Sequence, residues 1–152
     1  MSYANDMPAA PSTAVDAQLA AALRISVMRL ARRLRAQRAD SDLTLSQMSA
    51  LATVERRGPL TLGELAAFEN VQPPSMTHIV AALSEHAYLT RAPHETDGRQ
   101  VVLTITPAGR DLLREDRRRR EAWLSQHLRH LSADEVELLR AAAPVLEKLA
   151  TT

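Results

Sequence analysis

The chain has 152 residues, 45% of them apolar, enough for one globular unit or one subunit of an intertwined dimer and too many for wholesale disorder. Its only aromatic residues are Tyr3, Phe68, Tyr88 and Trp123, so the core must be built from Leu, Ala, Val, Ile and Met, which favours helix-on-helix packing. The absence of cysteine excludes disulfides, thiolate metal sites and cysteine redox sensing, and a net charge of +1 does not by itself mark a nucleic-acid binder.

Residues 1–12 hold two prolines and no apolar period, and residues 1–14 are expected to be a mobile tail. From about Val15 to Arg38, apolar residues recur at Leu19, Leu23, Val27, Leu30 and Leu34, one face of a helix whose other faces carry six arginines. Thr44-Leu45-Ser46-Gln47 reads as a capping box opening a helix that stops at Gly58-Pro59. A second box, Thr61-Leu62-Gly63-Glu64, starts a short helix that buries Leu62, Leu65 and Ala66 and ends near Asn70, a residue that tolerates the left-handed conformation. A turn through Val71 and Gln72 leads to Pro73 as the first residue of the next helix, whose inward positions are Met76, Ile79, Val80 and Leu83.

Leu89–Arg91 and the alternation Val101, Leu103, Ile105 predict two strands, with His94–Arg99 as the loop and Gly98 available for a turn that needs positive φ. Thr106-Pro107 caps a long helix to about His130. A third box, Ser132-Ala133-Asp134-Glu135, opens a last helix with Val136, Leu139, Ala143, Leu146 and Leu149 on its face.

Two short helices joined by about three turn residues make a helix-turn-helix, and the hairpin beyond it makes a wing. The predicted class is mainly α with a small β-hairpin wing: a winged helix-turn-helix flanked by long N- and C-terminal helices. Those outer helices need a partner for their apolar faces, and a two-fold homodimer is the simplest. It would read two similar DNA half-sites about one helical turn apart. Between Pro59 and Pro107 only Arg91 and Arg99 stand against Glu64, Glu69, Glu85, Glu95 and Asp97, a net of −3. Because phosphate neutralisation normally supplies most of the affinity, arginines outside the module would have to contribute.

Residues from about Leu43 to Leu113 resemble the MarR (multiple-antibiotic-resistance regulator) family of bacterial winged-helix transcription factors. The resemblance lies in Gly58-Pro59-Leu60-Thr61-Leu62-Gly63-Glu64-Leu65-Ala66, Pro73-Pro74-Ser75-Met76-Thr77, Asp97-Gly98-Arg99 and Leu103-Thr104-Ile105-Thr106-Pro107-Ala108-Gly109-Arg110. It implies one MarR-like domain over 15–152, with a DNA-binding lobe at about 44–107 and dimerisation helices at 15–40 and 107–150. It further implies a homodimeric regulator of a pseudo-palindromic operator on double-stranded DNA, a repressor released by a small, often aromatic, ligand. Three positions depart from the family's pattern. His78 stands where arginine is common, Tyr88 where a helix-ending glycine is common, and Gly98 replaces one of two adjacent wing arginines.

The residues expected to meet DNA are Gln72, Pro74, Ser75, Thr77 and His78 on the helix, and Arg91, Asp97 and Arg99 on the wing, with Asp97 orienting the wing more than touching DNA. If His78, His86 or His94 approaches DNA, binding should strengthen as pH falls through about 6.5. Arg117-Arg118-Arg119-Arg120 point in different directions around a helix and are flanked by Asp116 and Glu121, so a solvated face with ion pairs across the dimer is expected there. His127 and His130 lack a third ligand for zinc. Met28 and Met48 have the spacing of core residues, though methionine also suits an effector pocket. Ser75 and His78 lack an orienting acid and an oxyanion hole, so neither an enzyme nor a cofactor is expected. No apolar run approaches the roughly 20 residues that span a bilayer and the start is not signal-like, so a cytoplasmic protein without a membrane partner is expected. The alternative is a ligand- or protein-binding module on the same fold that has lost strong DNA contact.

Overall fold

The computed structural model describes residues 13–152. The predicted tail lies outside these residues except for its last two, which already belong to helix α1 (Thr13–Ala36). This helix is a structural unit of its own. Leu19, Ile25, Val27, Met28 and Leu30 are exposed along it, so the single chain leaves its apolar surface largely open.

The second unit, Gln37–Thr152, contains every other element. In chain order these are α2 (Leu45–Arg57), β1 (Leu60–Thr61), α3 (Leu62–Glu69), α4 (Pro73–Glu85), β2 (Leu89–Pro93), β3 (Val101–Ile105), α5 (Pro107–Leu128) and α6 (Ala133–Thr151). All three predicted capping boxes form: Thr44, Thr61 and Ser132 each accept a hydrogen bond from the N–H three residues on. The side chains of Gln47, Glu64 and Glu135 accept in return from the cap N–H groups. Asn70 ends α3 in the left-handed conformation (φ 52°, ψ 44°), as its residue type suggested.

The two-stranded wing of the sequence reading is in fact part of a three-stranded antiparallel sheet, ordered β1-β3-β2. Leu60 pairs with Leu103 and Thr61 with Val102, while β2 pairs with β3 from Leu89↔Ile105 to Pro93↔Val101. A two-residue strand cannot show alternation, and its partner lies some forty residues on, so no local pattern announces it. Fully buried Leu51, Val54, Leu65, Met76, Val80, Leu83 and Leu103 join α2, α3, α4 and the sheet into one core. Each such side chain contributes about 1.5–3 kcal/mol relative to exposure. Met48 belongs to this core, whereas Met28 is exposed on α1.

The end of α4 shows how the chain manages without the expected glycine. The left-handed residue there is Ala87 (φ 59°), not Tyr88. Tyr88 N–H donates to the Leu83 carbonyl (2.9 Å) and Ala87 N–H to that of Ser84 (3.0 Å), a Schellman ending. Thr106 then fastens this corner to the start of α5. Its Oγ1 donates to the Ala87 carbonyl (2.7 Å), its N–H donates to the Tyr88 carbonyl (3.0 Å), and Gly109 N–H donates to its Oγ1 (3.1 Å). Gly109 is required by proximity, because a Cβ there would lie 2.5 Å from the Tyr88 carbonyl oxygen.

The arginine run on α5 finds acids within its own chain. Arg117 reaches Glu55 on α2 (2.7 Å), Arg118 and Arg119 share Glu115, and Arg120 holds Asp116 (2.6 Å). Periodicity places acids one turn before Arg118, Arg119 and Arg120, and folding brings Glu55 to Arg117. Asp116 is buried and also accepts from Ala39 N–H (3.1 Å), tying the segment before α2 to α5. On α6 no residue is buried, and Leu138, Leu139, Val145, Leu146 and Leu149 are all exposed. Among the described residues, no helix is long and apolar enough to cross a membrane.

Candidate nucleic-acid interface

Helix α4 begins Pro73-Pro74, with the Gln72 backbone extended before it (φ −63°, ψ 141°). Proline's fixed φ suits the first helical turn. The two prolines also remove two of the N–H groups that a helix start ordinarily offers to an anion, and Met76 N–H is engaged by the Gln72 carbonyl (3.0 Å). This helix end is therefore a poor phosphate nest, and its recognition capacity lies in side chains.

Those side chains are sorted by the helical period. Met76, Val80 and Leu83 are buried and Ile79 is partly so, while Gln72, Pro74, Ser75, Thr77 and His78 are all exposed on the open side. The Thr77 hydroxyl donates back to the Pro73 carbonyl (3.0 Å), leaving its lone pairs and methyl facing outward. Thr77 is thus equipped to accept a hydrogen bond from a base amino group or to touch a thymine methyl.

The wing tip is organised by two side chains. Asp97 accepts from Arg99 N–H at Oδ1 (3.1 Å) and from Gln100 Nε2 at Oδ2 (3.4 Å), while its carbonyl accepts from Gln100 N–H (3.0 Å). Its carboxylate is thus engaged in shaping the loop. His94 does the corresponding work at the other end, with Nδ1 against the N–H groups of Thr96 (3.3 Å) and Asp97 (3.2 Å). Gly98 does not take positive φ, contrary to expectation. The turn is bent by side-chain acceptors instead of by a left-handed residue. The role of His94 was missed in the sequence, where the signal was its spacing of two and three residues from Thr96 and Asp97.

Arg99 is exposed and forms no ion pair among the described residues. Arg91 is exposed on β2, paired in register with Leu103. The two arginines serve opposite flanks of the wing. Arg99 borders an open recess with Thr61 of β1 and Leu62 and Gly63 of α3, whereas Arg91 lines another with Pro93 and Gly98. Folding also adds Arg56, Arg57 and Glu55 at the end of α2 to the lobe, where Arg57 lies 4.2 Å over the Phe68 ring. Residues 44–107 then hold four arginines against six acids, a net of −2.

Outside this face, His127 stacks on Trp123 (centroids 3.8 Å apart) with Nδ1 2.7 Å from the Trp123 carbonyl, and no cluster of three metal-ligating side chains occurs among the described residues.

A model of the MarR family matches residues 43–101. Over 131 residues the chain is 44% identical to an uncharacterized HTH-type transcriptional regulator of Mycobacterium bovis, a match covering 86% of this chain and 92% of that one. A counterpart from Mycobacterium leprae is 43% identical over 134 residues, covering 88% and 94%. Among solved structures, a Pseudomonas aeruginosa protein described as a transcriptional regulator superposes with a TM-score of 0.81 at 31% identity, over 93% of this chain and 99% of that one. A Staphylococcus aureus MepR mutant bound to an oligodeoxyribonucleotide superposes with a TM-score of 0.67 at 16% identity, over 88% and 96%, a likeness of fold alone.

Proposed function

The chain belongs to the MarR family of HTH-type transcriptional regulators, and from that premise we propose that it acts as a homodimer on a pseudo-palindromic operator, with α4 in the major groove and the wing at the minor groove. The observation that carries this reading is the pairing of an exposed face of short polar residues (Gln72, Ser75, Thr77, His78) with an unpaired Arg99 on the adjoining wing. Direct readout needs side-chain donors and acceptors at base edges, and a narrow minor groove attracts an uncompensated guanidinium. The MepR neighbour, which shares the fold, is bound to an oligodeoxyribonucleotide, in keeping with DNA binding on this fold. Dimerisation is supported by the open apolar faces of α1 and α6, which have no other use in a regulator of this size. In the cytoplasm the dimer acts as a repressor released by a small, often aromatic, molecule, as its family relationship suggests, and we assign it no reaction.

The net charge of −2 on the lobe favours a second reading, a ligand- or protein-binding module with negligible DNA affinity. Fluorescence anisotropy with a duplex from the region upstream of its own gene, against a scrambled duplex and across salt, separates the two. The regulator binds the first duplex specifically, and log affinity falls by about 0.9 per neutralised phosphate for each log unit of salt. Equal, weak binding to that duplex, to the scrambled one and to a pool selected in vitro would reject it.

A further inference from the structure

The loop from His94 to Gln100 is held at its two ends by groups of different kinds. Asp97 offers a carboxylate, which accepts from Arg99 N–H and Gln100 Nε2. His94 offers Nδ1, which lies 3.3 Å from Thr96 N and 3.2 Å from Asp97 N. A backbone N–H can only donate, so Nδ1 must present a lone pair and the ring proton must sit on Nε2. The Thr96 hydroxyl lies 3.2 Å from the same nitrogen, and His94 N–H donates to the Gln100 carbonyl (3.0 Å), closing the loop at its base.

We infer that His94, in its neutral form, is the positioning residue that presents Arg99 to DNA, an inference that rests on the DNA-reading function proposed above. The connection is short: the His94 ring holds Asp97 N–H, and the Asp97 carboxylate holds Arg99 N–H (3.1 Å). Protonation would put a hydrogen on Nδ1 opposite two other donors, and both backbone bonds would be lost. The charged side chains nearest His94 in the sequence are Arg91, Glu95, Asp97 and Arg99. Among the described residues none forms an ion pair with it. The bonds are therefore present while the ring is neutral and are lost when it gains a proton.

This sign is opposite to that of the other two histidines near the reading face. His86 Nδ1 lies 2.9 Å from the Ala82 carbonyl, which only accepts, so protonation leaves that bond intact and adds charge. His78 is exposed on α4 and likewise gains charge alone. The contribution of His94 is isolated by a ratio between variants, because the other histidines cancel.

The test uses the full chain and a duplex selected in vitro with the wild type at pH 8. In His94→Asn the amide oxygen accepts from N–H groups two and three residues on, the usual geometry of an Asx turn, without titrating. His94→Ala removes the acceptor. At pH 8, His94→Asn binds within about twofold of wild type and His94→Ala about fivefold more weakly, the equivalent of roughly one net hydrogen bond. Between pH 8 and 5.5 the affinity ratio of His94→Asn to wild type rises by about the same factor. In an Arg99→Ala background neither change alters binding. A ratio that stays constant with pH, or an undiminished effect without Arg99, would overturn the inference. Nitrogen NMR of the free protein gives an answer that does not depend on DNA. An Nε2–H ring at pH 8, with Thr96 and Asp97 amides titrating alongside it, supports the loop's dependence on His94, and an Nδ1–H ring refutes it. If no duplex is selected, the DNA-reading function fails and the inference with it. The NMR result still says whether His94 holds the loop.

Discussion

Replacing Asp116 by alanine tests whether the arginine run is structural. Asp116 is 3% exposed, accepts from Ala39 N–H at 3.1 Å and pairs with Arg120 at 2.6 Å. Ala39 is itself 6% exposed, so its amide would find no water in place of the carboxylate. Losing a hydrogen bond to a charged acceptor costs about 1.5–3 kcal/mol. The Arg120 side chain is 35% exposed and can turn to solvent, so the pair adds no more than about 1 kcal/mol. The expected loss is near 3 kcal/mol, or about 6–12 °C in Tm for a chain of this size. Calorimetry at fixed protein concentration measures it, the concentration being fixed because subunit association would itself shift Tm. Arg118→Ala is the control. Its partner is Glu115 and its side chain is 75% exposed, so it should move Tm by no more than about 2 °C. Equal shifts in the two variants, or a shift below about 3 °C for Asp116→Ala, would refute the argument from burial.

Ala87→Gly relieves a left-handed alanine and should stabilise the protein by about 1 kcal/mol, read as a higher urea midpoint; a lower midpoint would contradict the Schellman ending. Arg99→Ala should weaken operator binding severalfold and make the salt dependence shallower by about 0.9, while sedimentation shows an unchanged dimer. Unchanged affinity would remove the wing from the interface. The hydrogen bond from Arg117 holds the Glu55 carboxyl below its ordinary range, against an opposing effect of burial. Because the folded value is the lower one, this pair's stabilisation is present above the ordinary carboxylate range and is lost as pH falls through the folded value. The gap in urea midpoint between wild type and Arg117→Ala, worth at most about 1 kcal/mol, should therefore be seen at pH 6 and narrow as pH falls below the ordinary carboxylate range. A gap independent of pH would assign Arg117 a packing role instead.

Much of this fold was legible because its signals are local. Capping boxes at Thr44, Thr61 and Ser132 involve residues three apart, and each forms as read. The inward set on α4 follows from the helical period alone. What was illegible depends on contacts distant in sequence or on choices among equivalent local solutions. Strand β1 exists only because β3 lies beside it. At the α4 corner Tyr88 stands where a helix-ending glycine was expected from the resemblance, and the chain instead places Ala87 in the left-handed position and secures it with Thr106, nineteen residues on. Gly98 invited a positive-φ turn, but His94 and Asp97 supply acceptors that bend the loop with ordinary backbone angles.

The same reasoning divides the labour of the proposed interface. Helix α4 brings neither cationic side chains nor, after Pro73-Pro74, a full set of free N–H groups to its leading end, and the lobe around it carries −2. Its short side chains can discriminate bases at close approach but supply little of the long-range attraction that gathers a protein onto DNA. That attraction has to come from Arg91 and Arg99 on the wing, doubled by a second subunit, and from arginines beyond the lobe. Changes on α4 should therefore alter which sequence is bound more than how salt affects binding, and changes on the wing should do the reverse. A Ser75 or Thr77 variant with an altered salt slope, or an Arg99 variant with altered base preference at major-groove positions, would break this division.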